Sequence, residues 1–366
     1  MNELLYRIAL TRIKGINLPL AKILLEATGS CEALFAETEE NIHRIALLKT
    51  AIFSDAQKKR ALHEAETELA FIDKNKIEAL FYTDCNYPQR LTECIDAPIL
   101  LYYKGSADLN QTRVISIVGT RNATHYGKGF CQDFIQELAT LFPRNTIIVS
   151  GLAYGIDVCA HREALRNGLD TVAVLAHGLN TIYPAPHRNI AAEMLKQGGL
   201  LTEYASQDAT HRVNFIARNR IVAGLCDAAL IVESASKGGS LITADIAESY
   251  HRDIFALPGR IGDAYSQGCN NLIASNKAAL VSSARHFAEQ MCWEVPAQEA
   301  IQKELFPELD ANEKNILSIL EKEGECQINQ LAIKSDLSTA QVLAILLELE
   351  FKDKIRSFPG GIYRPA

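Results

Sequence analysis

Five short apolar runs, each followed by Gly or Pro and then by a helical pattern, constrain the fold of this chain more than any other feature. The runs are Val114–Val118, Ile147–Val149, Val172–Leu175, Ala229–Val232 and Ile254–Leu257. Continuous apolar runs of this length are typical of parallel strands buried on both faces. From about residue 76 to 290 the sequence therefore predicts an α/β domain, a mostly parallel sheet with helices on both faces.

The flanking regions have a different pattern. Residues 1–70 carry apolar positions at helical spacing and predict a small helical domain of SAM or helix-hairpin-helix type. Gly15-Ile16-Asn17 is similar to the turn of a helix-hairpin-helix, but the second glycine is missing and a packing role is favoured. Residues 291–304 are expected to be a linker. Residues 305–366 show three helical segments and a hairpin with a Pro-Gly-Gly turn, which together predict a winged helix.

Composition narrows the class of protein. The chain of 366 residues has 44 acidic and 37 basic residues, so a general nucleic-acid coat is excluded and any DNA site must be a local basic groove. Nine cysteines without a C-x-x-C pair favour reduced thiols over disulfides or a zinc site. No apolar run is long enough to span a bilayer and no secretory signal is visible, so we expect a cytoplasmic protein without a membrane partner.

The segment from Arg212 to Arg220 reverses the acidic balance, with three arginines, one aromatic residue and no acid. If residues 214–226 form one helix, Phe215 and Asn219 lie on the side opposite to Ile221. An outward aromatic ring beside guanidinium groups is typical of sites for single-stranded nucleic acid. The alternative from this segment alone is a core Phe among arginines in ordinary ion pairs.

Three Gly-containing loops join a predicted strand to a helix, at Gly119–Thr124, Ser150–Asp157 and Lys237–Thr243. Such loops provide free backbone N–H groups at the positive end of a helix dipole, and Asp157 is expected to cap the helix that carries His161. Each loop alone is a weak signal, because many such turns bind nothing. All three should open on the same edge of the sheet, beside the arginine-rich helix.

The sequence contains no G-x-G-x-x-G, Walker A, H-E-x-x-H or G-x-S-x-G motif. His161, His177 and His251 are isolated and are interpreted as satisfied helix or core residues. Glu203 and Glu233 end strands, and a structural hydrogen bond to a neighbouring loop is favoured for each over an acid–base role. We therefore expect no catalytic residue, no metal and no cofactor.

Six ordered motifs resemble the DprA/Smf family of DNA-processing proteins. They are I-V-G-T-R-N-A-T-x-Y-G from Ile117, S-G-L-A-Y-G-I-D-x-x-A-H from Ser150, N-F-I-A-R-N-R-I-V-A-G from Asn214, G-G-S-L-I-T-A from Gly238, A-L-P-G-R-I from Ala256 and G-C-N-N-L-I from Gly268. The resemblance implies an extended Rossmann-like domain that dimerises and binds single-stranded DNA. It also implies a non-enzymatic role, protecting incoming DNA and loading a RecA-type recombinase onto it.

Matching positions extend the resemblance to individual residues. Arg121 matches an arginine that holds backbone phosphate, Phe215 the aromatic of the F-P-x-R-N-R segment, and Arg212 a basic residue that contacts DNA. Arg218 and Arg220 cannot point the same way on a helix, so one of them is expected to brace the fold. The expected DNA contacts are Gly119, Thr120, Arg121, Ser150, Gly151, Arg212, Asn214, Phe215, Arg218, Asn219, Arg220, Lys237, Gly239 and Ser240.

The sequence departs from the family pattern at Ile216, where Pro is usual, at Gly239, where Ser is usual, and at residues 275–277, where a Gly-Ala region is expected. None of these changes removes a charged DNA contact.

Two other functions stay open at this point. The first is a Rossmann-like nucleoside monophosphate hydrolase, although the Lys237–Thr243 loop lacks the acid of the P-G-G-x-G-T-x-x-E motif. The second is a duplex-DNA regulator acting through the winged helix. That domain has 11 acidic against 8 basic residues over positions 301–366, and its candidate recognition helix, Thr339–Glu350, has no base. A protein-contact or oligomer role is favoured for it.

Overall fold

The structure is a computed structural model that describes residues 3–46, 53–295, 309–352 and 354–365. The described residues form two compact units, one ending at Val295 and the other beginning at Leu309. Most of the predicted linker at 291–304 lies outside the described residues. No helix in these ranges is both long and apolar enough to cross a membrane.

The chain begins with a group of helices that packs onto the rest of the first unit. These helices are α1 (Glu3–Arg12), α2 (Leu18–Thr28), α3 (Cys31–Ala36), α4 (Glu39–Ala46) and α5 (Asp55–Asn75). Asn17 is the N-cap of α2, because its side chain accepts a hydrogen bond of 3.0 Å from Leu20 N. Arg12 forms an ion pair of 2.6 Å with Asp208, far along the chain. The predicted boundary at residue 70 falls inside α5.

A nine-stranded sheet forms the centre of this unit. Its strands are β1 (Glu78–Phe81), β2 (Leu100–Gly105), β3 (Arg113–Val118), β4 (Thr146–Ser150), β5 (Asp170–Val174), β6 (Gly198–Thr202), β7 (Ala228–Ile231), β8 (Asp253–Ala256) and β9 (Ala279–Leu280). The order is β1-β2-β6-β5-β4-β3-β7-β8-β9, parallel from β6 to β9, with β1 and β2 antiparallel. The five apolar runs are strands β3, β4, β5, β7 and β8, as predicted.

Helices cover both faces of the sheet, which confirms the expected α/β architecture. They are α6 (Gln89–Thr92), α7 (His125–Leu141), α8 (Ile156–Arg166), α9 (Arg188–Met194), α10 (Arg212–Ala217), α11 (Asn219–Leu225), α12 (Gly239–Ser249), α13 (Gln267–Ala274) and α14 (Ala284–Gln290). Ile115 and Ile117 of β3 pack with α7, α8 and α14, whereas Val114 and Val118 face the core shared with α11, α12 and the N-terminal helices.

The chain reverses its direction of travel across the sheet at β3. From β3 it continues to β4 on one side, whereas β7 pairs with β3 on the other side. Loops at the carboxyl ends of such strands diverge and leave a crevice, where ligands of open α/β sheets bind. The site is therefore expected beyond Val118, Ser150 and Ile231.

The second unit has the three helices and the wing that the sequence predicts. Its elements are α15 (Ala311–Glu323), β10 (Cys326–Gln327), α16 (Ile328–Ser335), α17 (Thr339–Phe351), β11 (Ile355–Phe358) and β12 (Ile362–Pro365). The hairpin between β11 and β12 turns through Gly360 and Gly361, which have φ angles of 91° and 69° that suit glycine. Strand β10, which was not predicted, pairs with β12.

Candidate nucleic-acid interface

A cleft of about 270 Å³ opens at the carboxyl ends of β3, β4 and β7. Its walls come from the three predicted loops and from α10, α11 and α12. The lining residues include Gly119, Thr120, Arg121, Asp157, Phe215, Ile216, Arg218, Asn219, Gly239, Ser240 and Thr243. The three loops thus meet at one edge of the sheet beside the arginine-rich segment, as the sequence predicts.

Backbone hydrogen bonds join the first two loops to each other and the first loop to the segment directly after β7. Thr120 N donates to Glu233 O at 2.7 Å, and Ile156 N donates to Thr120 O at 3.2 Å. The contact between the first two loops requires glycine: Gly155 has φ +80°, and a Cβ there would lie 2.1 Å from Thr120 O. Close packing of backbone on backbone therefore shapes the cleft before any ligand enters.

One aromatic ring lines the cleft, and a second ring packs against it. Phe215 is half-buried and lines it, and its ring meets Tyr183 edge-on with a centroid distance of 5.6 Å. Tyr183 is 56% exposed, and its backbone N–H donates to Nε2 of buried His177 at 3.2 Å. Phe215 therefore has the accessible position that base stacking needs, and His177, interpreted as a core residue, fixes the Tyr183 loop.

The cations of the predicted set occupy different positions. Arg121 is exposed and lines the cleft, and among the described residues no carboxylate forms an ion pair with it. Arg212 and Lys237 are exposed but lie outside the lining. Arg121 is therefore the exposed cation that can reach a phosphate at the cleft itself.

Arg218 braces the fold, and its expected role as a DNA contact is corrected. It is 5% exposed, and its guanidinium donates to Gly151 O at 2.7 Å and to Val174 O. Burial lowers the pKa of Arg218 and raises the pKa of neighbouring Asp157, although the charge of Arg218 acts against the second shift. The pair forms the floor of the cleft and leaves the Arg218 guanidinium turned toward protein carbonyls.

Four further residues of the predicted set are occupied by protein contacts. The Ser150 hydroxyl is fully buried and donates to Ile117 O at 2.6 Å, and Asn214 donates to Ala176 O at 3.3 Å. Arg220 forms an ion pair with Glu203, so Arg218 and Arg220 both have protein partners. A Cβ at Gly151 would lie 2.4 Å from the Arg218 guanidinium. These residues support the cleft and do not present groups to it.

The helix expected over residues 214–226 is two helices, α10 and α11, which meet at Arg218. At the junction Ile221 N bonds to Arg218 O three residues back, the tighter 3-10 pattern. The predicted faces are nevertheless correct, because Phe215 and Asn219 line the cleft while Ile221 is fully buried.

The chain is similar to proteins of a known family. Residues 78–292 match the family model for DNA recombination-mediator protein A, and residues 302–361 match the DprA winged helix domain. The chain belongs to the DprA family. A DNA processing protein DprA of Streptococcus pneumoniae is 41% identical over 200 residues, which cover 55% of this chain and 69% of that protein.

Two solved DprA structures are also similar. The X-ray structure of the Streptococcus pneumoniae protein has a TM-score of 0.67 and 32% identity, covering 79% of this chain and 98% of that one. A Helicobacter pylori DprA structure, which concerns the single-stranded DNA binding mode of that protein, has a TM-score of 0.53 and 29% identity. It covers 59% of this chain and 96% of that one.

The acidic and histidine side chains that the sequence singles out differ in their surroundings within this DprA-family domain. Glu233 is buried and accepts hydrogen bonds from Thr124 N and the Thr124 hydroxyl, as its interpretation as a structural residue predicts. His161 is buried against Thr171, whereas His251 lies exposed after α12, outside the core. Asp157 does not cap α8 as expected, because its carboxylate accepts from Ala153 N, ahead of the helix.

Within the described ranges, no group of three or more His, Cys, Asp or Glu side chains is placed so that it could hold a metal ion. Tyr183 is the site residue that sequence reasoning missed. It follows an apolar run by several residues in a loop containing two prolines, and only the fold brings it to Phe215.

Proposed function

We propose that this chain binds single-stranded DNA in the cleft between β3, β4 and β7 and hands the strand to a RecA-type recombinase during uptake of foreign DNA. One observation carries the proposal: Arg121, exposed and without a carboxylate partner in the described ranges, shares a cleft with the ring of Phe215. A guanidinium for phosphate and an aromatic ring for a base are the two parts of a single-strand site.

A non-enzymatic role fits the groups that line the cleft. Asp157 is its one lining carboxylate among the described residues, and this group is buried beside Arg218. Ser240 donates to Ser234 at 2.9 Å, and Thr243 is nearly fully buried. These groups give no exposed acid or base to activate water, so a nucleoside monophosphate hydrolase is the less supported alternative.

The compartment and assembly of the protein are part of the same proposal. All nine cysteines are free, which fits the reducing cytoplasm.

Strand β9 forms one edge of the sheet and leaves Leu280 42% exposed, which supports a homodimer through this domain. An unpaired sheet edge with an exposed apolar side chain can be covered by a second copy.

The winged helix is proposed to contact protein and not to read duplex DNA. Its third helix, α17, has two acids and no base, and it exposes Leu343, Leu347 and Phe351 at successive turns. A helix that enters the major groove needs cationic and polar side chains on its exposed face.

A binding assay over a salt series tests the central claim. Arg121→Ala and Arg212→Ala should each weaken binding of a single-stranded oligonucleotide and lower the log–log salt slope by about 0.7, because each removes one phosphate contact. The control is Arg144→Ala. Arg144 is exposed and lies just before β4, at the amino ends of the strands, whereas the cleft lies at their carboxyl ends. Equal slopes for all four proteins, or tighter binding of duplex than of single strand, would refute the proposal.

The recombinase step needs its own measurement. The chain should shorten the lag before a RecA-type recombinase forms filaments on single-stranded DNA that is already coated with a single-strand binding protein. An unchanged lag at saturating protein would remove the loading role and leave DNA binding intact.

A further inference from the structure

A second groove of about 390 Å³ lies beside the cleft, between α7 and α8. Its wall includes Arg121, from the loop after β3, and Tyr154, from the loop after β4. Lys128 of α7 and Arg162 of α8 are the other charged residues of its lining. Arg121 lines both the cleft and this groove, so the two form one continuous surface.

The groove is positively charged, and no acidic side chain in its lining neutralises this charge. Arg121, Lys128 and Arg162 are exposed, no carboxylate lines the groove, and within the described ranges none of the three forms an ion pair. The nearby acid of α8, Glu163, is buried and bonds Arg166 at 2.8 Å. Three cations around one groove repel one another unless an anion joins them, and in a chain of net charge −7 such a cluster is a local exception.

An aromatic ring accompanies these cations. The rings of Tyr154 and His187 form a T-shaped contact with a centroid distance of 4.8 Å, and Tyr154 remains 47% exposed. One side of the ring is therefore anchored while the rest is accessible to a base. The combination of aromatic ring and cations repeats, at a second place, what Phe215 and Arg121 provide in the cleft.

The groove is built on rigid elements. Lys128 and Arg162 stand on two helices that pack directly together, with Cys159 Sγ 4.0 Å from Lys128 O. Thr124 caps α7 and is itself held by the buried carboxylate of Glu233. The cations therefore need little ordering of the backbone when a ligand binds, which favours affinity.

We propose that the groove is a second subsite for the same DNA strand, in which Lys128 and Arg162 bind consecutive phosphates and Tyr154 stacks on a base. The inference rests on the proposed function, since it extends the strand from the cleft past Arg121. The cleft has a volume of only about 270 Å³, so a strand bound there must extend beyond it, and the groove gives that strand a path over α7 and α8.

Binding of short and long oligothymidylates to the full chain tests the subsite, measured by fluorescence polarisation over a salt series. The short oligonucleotide has about four nucleotides and the long one about twenty, which bracket common single-strand site sizes. In the double variant Lys128→Gln/Arg162→Gln, the salt slope for the long strand should fall by about 1.4. Its affinity near 0.1 M salt should fall about 25-fold, because two phosphate contacts are lost. Affinity for the short strand should stay within about twofold.

Two further variants complete the design. Arg144→Gln/Lys196→Gln removes the same charge at the opposite edge of the sheet, since these exposed residues precede β4 and β6, and it should leave both affinities unchanged. Tyr154→Ala should weaken long-strand binding about 5- to 150-fold without altering the salt slope, as expected for one lost stacking contact. Unchanged long-strand binding in the Lys128/Arg162 variant, or equal losses for both lengths, would overturn the subsite.

The outcome also separates the subsite from the cleft. Arg121→Gln should weaken both lengths, because that residue serves the cleft. If it does so while the groove variants bind normally, the proposed function stands and the subsite is rejected. If the unaltered chain binds neither oligonucleotide, both proposals are rejected together.

Discussion

Replacing Arg218 tests most directly which arginines of the Arg212–Arg220 segment hold the fold together. Methionine at this position keeps much of the length of the side chain and removes the charge. In Arg218→Met, Gly151 O and Val174 O lose their donor, and the buried carboxylate of Asp157 loses its neighbouring cation. Breaking a buried pair by removing one partner costs about 3–5 kcal/mol, because the remaining charge stays buried.

The loss in free energy of unfolding can be measured for the first unit alone. The chain has a single tryptophan, Trp293, whose ring packs against Phe142 and Phe287 at centroid distances of 5.5 Å. Urea unfolding followed by its fluorescence therefore reports on this unit and not on the winged helix. A loss of about 3–5 kcal/mol corresponds to a fall in Tm on the order of 10 °C for a unit of this size.

DNA binding, in contrast to stability, should be little affected by Arg218→Met. Because the Arg218 guanidinium donates to protein carbonyls, the folded variant should keep the salt slope of single-stranded DNA binding. The control, Arg212→Met, should keep its stability and lose about 0.7 of the slope. If Arg218→Met instead unfolds within about 1 kcal/mol of the unaltered chain and loses slope, the arginine contacts phosphate and the structural interpretation is wrong.

Three other predictions concern the aromatic ring of the cleft, the buried acid and the winged helix. Phe215→Ala should cost about 1–3 kcal/mol of DNA binding with an unchanged salt slope, whereas normal binding with a lowered Tm would place the ring in the core. Glu233→Gln should lower the free energy of unfolding by about 1–3 kcal/mol through its bonds to Thr124, and neither form should release free base from nucleoside monophosphates; base release that this change abolishes would favour the hydrolase. Ser338→Ala, which removes the capping box with Gln341, should cost about 1 kcal/mol, seen as faster hydrogen exchange in the first turn of α17; unchanged exchange would argue against the cap.

The strands that can be predicted from the sequence are those that consist of continuous apolar runs. Strand β3 is continuous and fully covered, so its composition alone identifies it. Strand β6 begins with Gly198 and Gly199, and its place depends on Tyr103, whose hydroxyl donates to Gly198 O at 3.0 Å. Strand β9 is two exposed residues long. Neither has a local pattern that could be detected without its neighbours.

The residues of the site also fall into those that the local sequence predicts and those that depend on distant parts of the chain. Helical periodicity places Phe215 and Asn219 on the cleft side, because that property depends only on the spacing within one segment. The two acceptors of the Arg218 guanidinium are Gly151 O, directly after β4, and Val174 O, at the end of β5, which lie 67 and 44 residues earlier in the chain. Charge and spacing are the same for a guanidinium that meets water and one that meets carbonyl groups, so tertiary packing alone distinguishes Arg121 from Arg218.

The backbone hydrogen bonds of Thr120 have a consequence for the rate at which the cleft can bind DNA. Thr120 bonds to Glu233 on one side and to Ile156 on the other, so the walls of the cleft are fixed in the free protein. The first two loops do not have to close around an arriving strand, and conformational rearrangement should not limit the encounter. We expect the association rate constant to follow ionic strength and to vary little with solvent viscosity beyond the diffusional dependence, so that the lifetime of the complex sets differences among variants.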